Sequence, residues 1–220
     1  MMSLSKDTLK VLENFSTINP SIEIMQGNTI KTISELKNIF SKAMVEDTFP
    51  VTFAMYDLKQ FLGLVSLFEE PEFDFQEKRV VVREKGSETT SSYTYSSSET
   101  FTTPGNKELT LNSVNVSFKL EATVLQNVVK AAHQLSLPEV VVRGRDGKIM
   151  LVATDTKNPS TNEFSFQVGT CPEDMNYEHI FKAINIKFMP KDYDVQISDQ
   201  GIGHFKSESG LEYWVAVSSK

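Results

Sequence analysis

Apolar residues at Leu4, Leu9, Val11, Leu12, Phe15 and Ile18 recur at helical spacing and predict a helix over 4–18, with Ser3 or Ser5 as its N-cap and Asp7 in its first turn. Pro20 ends it. Ile22-Glu23-Ile24 then alternates as a strand, and a Gln26-Gly27-Asn28 turn leads into a second strand over Thr29–Ile33, so a hairpin is expected to follow the helix. A third strand is expected over 39–44, and 49–56 is rich in β-formers. Asp57 opens a second helix running to Phe68, with Gln60 three places on as in a capping box and Leu58, Phe61, Leu62, Val65 and Phe68 on one face. Strands resume at 73–75, 80–84 and 93–95, the last two joined across Lys85-Gly86-Ser87.

From Ser96 to Asn112 the composition shifts to Ser, Thr, Pro and Gly without periodicity, which reads as a connector. A helix with apolar Val124, Leu125, Val128, Val129, Ala132 and Leu135 follows over 121–135. Beyond it come Pro138, a strand over 140–143, a tight Asp146-Gly147 turn and a strand over 148–154. Leu4 and Leu9 map onto Leu120 and Leu125, and Pro20-Ser21-Ile22 onto Pro138-Glu139-Val140, so the chain reads as two copies of one unit. The expected division is a first domain over 1–97, a connector over 98–112 and a second domain over 113–220. In the second copy, strands are expected over 163–168, 179–184, 193–198, 203–206 and 213–217, with the second helix shortened to a turn within 185–191. The fold class is α+β.

With 220 residues, 40% of them apolar, the chain can bury an ordinary core. The longest apolar stretch, Phe61–Phe68, is far short of the roughly 18–20 residues that span a bilayer. The amino end becomes charged at once, without the apolar core of a secretion signal, which predicts cytoplasmic residence. A single cysteine, Cys171, forms no internal disulfide, and with His133, His179 and His204 dispersed it supplies no Cys-rich zinc site. Gly144-Arg145-Asp146-Gly147-Lys148 lacks phosphate-loop spacing, Gly201-Ile202-Gly203 lacks the third glycine of a dinucleotide fingerprint, and no G-x-S-x-G elbow occurs. No catalytic constellation and no cofactor site emerge; Cys171, His179 and His204 receive no role.

The net charge of −7 appears unfavourable for nucleic acid, but what a polyanion meets is one surface. In the four segments expected to be helical (4–18, 57–68, 119–135 and 185–191), Lys6, Lys10, Lys59, Lys119, Lys130, Lys187 and Lys191 oppose Asp7, Glu13, Asp57 and Glu121. Those segments therefore sum to +3 and the remainder to −10. Asp57 and Glu121 sit at helix starts, where the positive end of the dipole favours a carboxylate whatever the function. Basic helices and acidic strands would hold a polyanion on one side and repel it on the other, although lysines also occupy solvated helix faces for no further reason.

Leu4-Ser5-Lys6-Asp7-Thr8, Asn14-Phe15-Ser16-Thr17-Ile18-Asn19, Tyr56-Asp57-Leu58 and Phe61-Leu62-Gly63-Leu64-Val65-Ser66-Leu67 closely resemble the sliding clamps of T-even-type bacteriophages, processivity subunits of the replicative DNA polymerase. The second half resembles them in pattern, through 120–135, Gly147-Lys148-Ile149 and Met189-Pro190 before Tyr193. The resemblance implies a homotrimeric ring of subunits with two similar domains each, helices lining the hole and strands forming the outer sheet. It implies double-stranded DNA, bound without sequence preference, as the partner of the seven lysines. It implies polymerase, an ATP-driven clamp loader and late-transcription factors docking through apolar peptide segments, with Phe101, Leu109, Tyr213, Trp214 and Val215 as contributors. It places the protein in the cytoplasm of an infected bacterium. Two other classes stay open: a phage structural or adhesion protein of two β-rich domains, suggested by the Ser/Thr-rich middle, and a hydrolase, for which the residues offer no positive feature.

Overall fold

In the computed structural model, residues 1–218 are described, so the last two residues of the expected second domain lie outside the description. The chain forms two compact units, 1–108 and 109–220.

The first unit begins with helix α1 (Lys6–Ile18), whose N-cap is Ser5: its hydroxyl accepts the N–H of Thr8 at 3.1 Å. The helix buries Val11, Leu12, Phe15 and Ile18, the stripe its spacing predicts, and ends before Pro20. Four strands follow: β1 (Ile22–Ile24), β2 (Gly27–Ile33), β3 (Ile39–Phe49) and β4 (Phe53–Met55). Helix α2 (Leu58–Val65) starts where Asp57 accepts the N–H of Gln60 at 2.9 Å, and it buries Leu58, Phe61 and Val65. Strands β5 (Pro71–Phe75), β6 (Arg79–Glu84) and β7 (Thr90–Thr94) make an antiparallel meander, which Met2 joins by bridging Phe73.

The hairpin expected after α1 does not form. β1 pairs instead with β4, in the register Ile22↔Met55 and Ile24↔Phe53, while β2 pairs with β3. The intervening Gln26 gives its N–H to the Thr52 hydroxyl at 2.9 Å, so the chain is held by the approach to β4 and not folded back on itself. An aromatic cluster fills this unit. Phe53 stacks between Phe75 and Tyr95 at 5.1 and 5.0 Å, and Phe61 meets Tyr93 edge-on at 5.6 Å. Phe53 and Phe61 are buried and contribute roughly 1.5–3 kcal/mol each, the half-buried Phe75, Tyr93 and Tyr95 less.

The second unit repeats the plan. Strand β8 (Val116–Leu120) leads into helix α3 (Ala122–Gln134), which like α1 has 13 residues. Then come β9 (Glu139–Arg145), β10 (Lys148–Thr154), β11 (Phe164–Thr170), β12 (Tyr177–Lys182) and a 3-10 turn at Ala183–Asn185. Strands β13 (Tyr193–Ser198), β14 (Ile202–Lys206) and β15 (Leu211–Ala216) complete it. The sheet order β11-β10-β9-β12 is the first unit's β3-β2 and β1-β4 pairs joined into one ladder. Here the hairpin is real: Asp146 and Gly147 take φ of 52° and 76°, the left-handed pair that a two-residue turn matching the sheet twist needs. β8 pairs with β13, as Met2 does with Phe73 before α1.

Two expectations in this unit are corrected. Lys119 lies not on a helix but on β8, where Val116, Phe118 and Leu120 are buried and Ser117 and Lys119 exposed, a strand alternation. The segment around Lys187 makes no helical turn beyond the 3-10 turn at 183–185. Its backbone is claimed by two tyrosines, one four residues on and one 24: Tyr193 donates its hydroxyl to the Met189 carbonyl at 2.6 Å, and the Met189 N–H donates to Tyr213 Oη at 3.2 Å. Phe188 packs against Phe205 and Tyr213, with ring centroids 4.6 Å apart in each case.

Candidate nucleic-acid interface

α1 and α2 pack together in the first unit and leave a cleft between their outer faces. Lys6, Lys10 and Lys59 stand around it, all exposed, with Leu9 and Leu62 in its floor and Glu13 as its carboxylate. The helical periods that bury Leu12, Phe15 and Phe61 against the sheet put these lysines on the opposite side. Lys10 forms a 3.0 Å ion pair with Asp7, one helical turn away. Both partners are largely exposed, so the pair is weak and screened by salt. The cleft's three ammonium groups are the chemistry that attracts phosphates whatever the base sequence.

In the second unit Lys130 is exposed on α3, one turn before exposed His133. Lys119 and Lys191 come together instead in a depression that also contains Lys206, Glu121, Asp192 and Asp194. Lys187 is half-buried in the segment held by Tyr193 and Tyr213. Helical spacing therefore puts Lys6 and Lys10 on one face, the packing of α2 on α1 brings Lys59 to them, and Lys119, Lys191 and Lys206 meet through the pairing of strands.

Of the residues expected to meet protein partners, Phe101 and Leu109 are half-buried in irregular chain. Phe101 lines a shallow recess with Pro20, Tyr56 and Asp57. Tyr213, Trp214 and Val215 are buried at 0%, 5% and 0% exposure, so within the chain they act as core residues of β15. Burial, above all, pushes the Tyr213 and Tyr193 hydroxyls well above the ordinary tyrosine range.

The stretch from 98 to 108 is tied to the first unit. Asn19 donates to the Thr102 carbonyl at 3.2 Å, and the Glu108 carboxylate receives Lys31 at 2.6 Å and Lys42 at 3.0 Å.

Three groups distant in sequence fasten the helix starts. Asp47, on β3, accepts through one carboxylate oxygen both the Ser5 N–H at 2.9 Å and the Thr8 hydroxyl at 2.5 Å. Tyr93, on β7, donates its hydroxyl to the Asp57 carbonyl at 2.9 Å and accepts the Asp57 N–H at 3.3 Å. Asp192 accepts the Ala122 N–H at 2.7 Å, at a helix whose own N-cap, Glu121, makes no side-chain cap. Nothing local in the sequence marks Asp47 or Asp192 for this role, because each lies some 40 residues or more from the group it holds.

Residues 5–101 match the family described as DNA polymerase processivity factor, and 117–219 the family described as gp45 sliding clamp, C terminal. The sliding clamp of Vibrio phage KVP40 is 36% identical over 99% of this chain and 100% of its own length. That of Enterobacteria phage T4 is 25% identical over 99% and 97%. Among solved structures, A. fulgidus PCNA bound to the C-terminal region of FEN-1 superposes with a TM-score of 0.72 at 10% identity, covering 100% of this chain and 99% of that one. Proliferating Cellular Nuclear Antigen from Entamoeba histolytica gives 0.70 at 10%, with 96% and 95% covered. At such identity these structures speak for the fold, and the phage relative carries the family: the chain belongs to the sliding clamps, the processivity factors of DNA polymerases.

Proposed function

We propose that the protein is one subunit of a homotrimeric ring that encircles double-stranded DNA, tethers the replicative polymerase, and itself catalyses no reaction. The observation that carries this reading is the grouping of Lys6, Lys10 and Lys59 around one cleft in a chain of net charge −7. Lys119, Lys130, Lys187 and Lys191 extend the same role into the second unit. A ring that slides must not grip bases, so attraction to phosphates centres the duplex while topology retains it.

An ATP-driven loader opens the ring onto DNA, and late-transcription factors share its outer face, in the cytoplasm of the infected host. Phe101 and Leu109, flanking the middle of the connector over 98–112, present apolar surface to the docking segments of these partners. Mixing the protein with its polymerase, loader, ATP and primed circular DNA tests the reading. Synthesis products lengthen, and the protein leaves the DNA when the circle is cut. Unchanged product length overturns the clamp reading, as does a chain that stays monomeric by mass at micromolar concentration even with loader present.

A further inference from the structure

The lysines of the cleft serve DNA only if the helices bearing them are held, and α1 is held from outside itself. A helix start leaves its first N–H groups unpaired, and a neighbouring side chain ordinarily satisfies them. Ser5 does so for Thr8 N–H, yet its own N–H and the Thr8 hydroxyl both turn to a single oxygen of Asp47, at 2.9 and 2.5 Å. Thr8 is 1% exposed, so its hydroxyl is shielded from solvent, and apart from Asp47 its neighbour is Ser5 Oγ at 3.1 Å, itself engaged as the cap. Lys6 sits between the two fastened residues and Lys10 half a turn beyond.

We infer that Asp47 is a positioning residue for DNA association: from β3 it fixes the start of α1 and with it the placement of Lys6 and Lys10. The inference rests on the DNA-facing reading of those lysines. Asp192 also fastens a helix start, accepting the Ala122 N–H of α3 at 2.7 Å, but by one bond and two turns before Lys130. The contact works through hydrogen bonds, so an amide oxygen at position 47 can replace the carboxylate oxygen, whereas a methyl group cannot.

The test is a double-mutant cycle on the intact ring, reading the slope of log association constant against log salt on duplex DNA. In the otherwise unaltered chain, Lys6→Gln with Lys10→Gln is expected to lower the slope by about 1.8, at about 0.9 per phosphate contact. Asp47→Ala is expected to take away most of that slope on its own. The lysine pair then has little further effect in the Asp47→Ala background, while Lys130→Gln keeps its full effect there. Asp47→Asn restores the original slope. Thr8→Val, which removes one of the two bonds while keeping the side-chain shape, gives the same coupling at smaller size and serves if Asp47→Ala does not fold. Additive slopes for Asp47 and the lysine pair overturn the inference alone, as does an Asp47→Asn protein that behaves like Asp47→Ala. No change for the lysine pair in the unaltered chain overturns the DNA-facing reading and the inference with it.

Discussion

The imidazole of His204 lies flat on the indole of Trp214, centroids 4.3 Å apart and planes within 10°, and its Nε2 meets the Glu212 carboxylate at 2.8 Å. Burial lowers the proton affinity of His204, Glu212 acts against that, and the Lys206 charge adds to it. The folded-state value falls below the ordinary 6.5, so between the two the unfolded chain binds more protons. His204 therefore contributes stability that is full above the ordinary value and drains away as pH falls through the depressed one. His179, lowered by burial alone, acts in the same direction. Melting temperature should fall on acidification from pH 7 towards 5, and His179→Gln or His204→Gln should flatten the profile in that window. An unaltered profile in both variants contradicts the assignment.

Gly144, central in its sheet on β9, has the Tyr177 ring where a side chain would be: a Cβ there would lie 2.2 Å from Cε1. Gly144→Ala is expected to destabilise the protein by about 1–3 kcal/mol in urea unfolding, the usual cost of overpacking. Adding Tyr177→Ala, which removes the obstructing ring, should make the pair less destabilising than the sum of the two.

Glu108 is held below the ordinary carboxylate range, first by the hydrogen bond from Lys31 and then by that from Lys42. A depressed carboxyl supports the fold above its unfolded value and loses that support as pH falls through the folded one. Glu108→Gln should therefore speed amide exchange across 98–108 about two- to fivefold at neutral pH, the scale of an exposed ion pair worth at most about 1 kcal/mol. In the unaltered chain the protection should persist until the pH drops below 4.5.

Lys6→Gln, Lys10→Gln and Lys59→Gln should each weaken association with any duplex sequence equally and reduce the salt slope by about 0.9. Asp7→Asn should do the opposite, because it releases Lys10 from its 3.0 Å ion pair and removes a negative charge from the same face. Filter binding or anisotropy across a salt series measures both signs.

Much of this was legible in the chain. Local rules located the three α-helices among the described residues: the spacing of Leu9, Leu12 and Phe15, the Asp57 cap and the Val124–Leu135 stripe each correspond to one. Asp146-Gly147 likewise announced its turn. The misses share one cause, long-range partners. β1 chose β4, 31 residues away, over its nearer neighbour, and the Met189 backbone chose the hydroxyl of Tyr213, 24 residues on. The same holds for the site. Helical periodicity gives the outward faces of Lys6, Lys10 and Lys59, but their meeting depends on how α1 packs on α2, as that of Lys119, Lys191 and Lys206 depends on how strands pair.

The missing ladder between β1 and β2 gives the two halves of the chain different mechanics. In the second unit β9 and β10 are stitched along seven residue pairs, so a load across that sheet must break hydrogen bonds together. In the first unit the corresponding seam has no backbone ladder among the described residues, and a buried bond, from the Asn19 amide to the Ile33 carbonyl at 2.8 Å, ties the chain before β1 to the end of β2. Closure of the amino-terminal seam therefore rests on side chains, whereas the carboxy-terminal one is sealed by main chain.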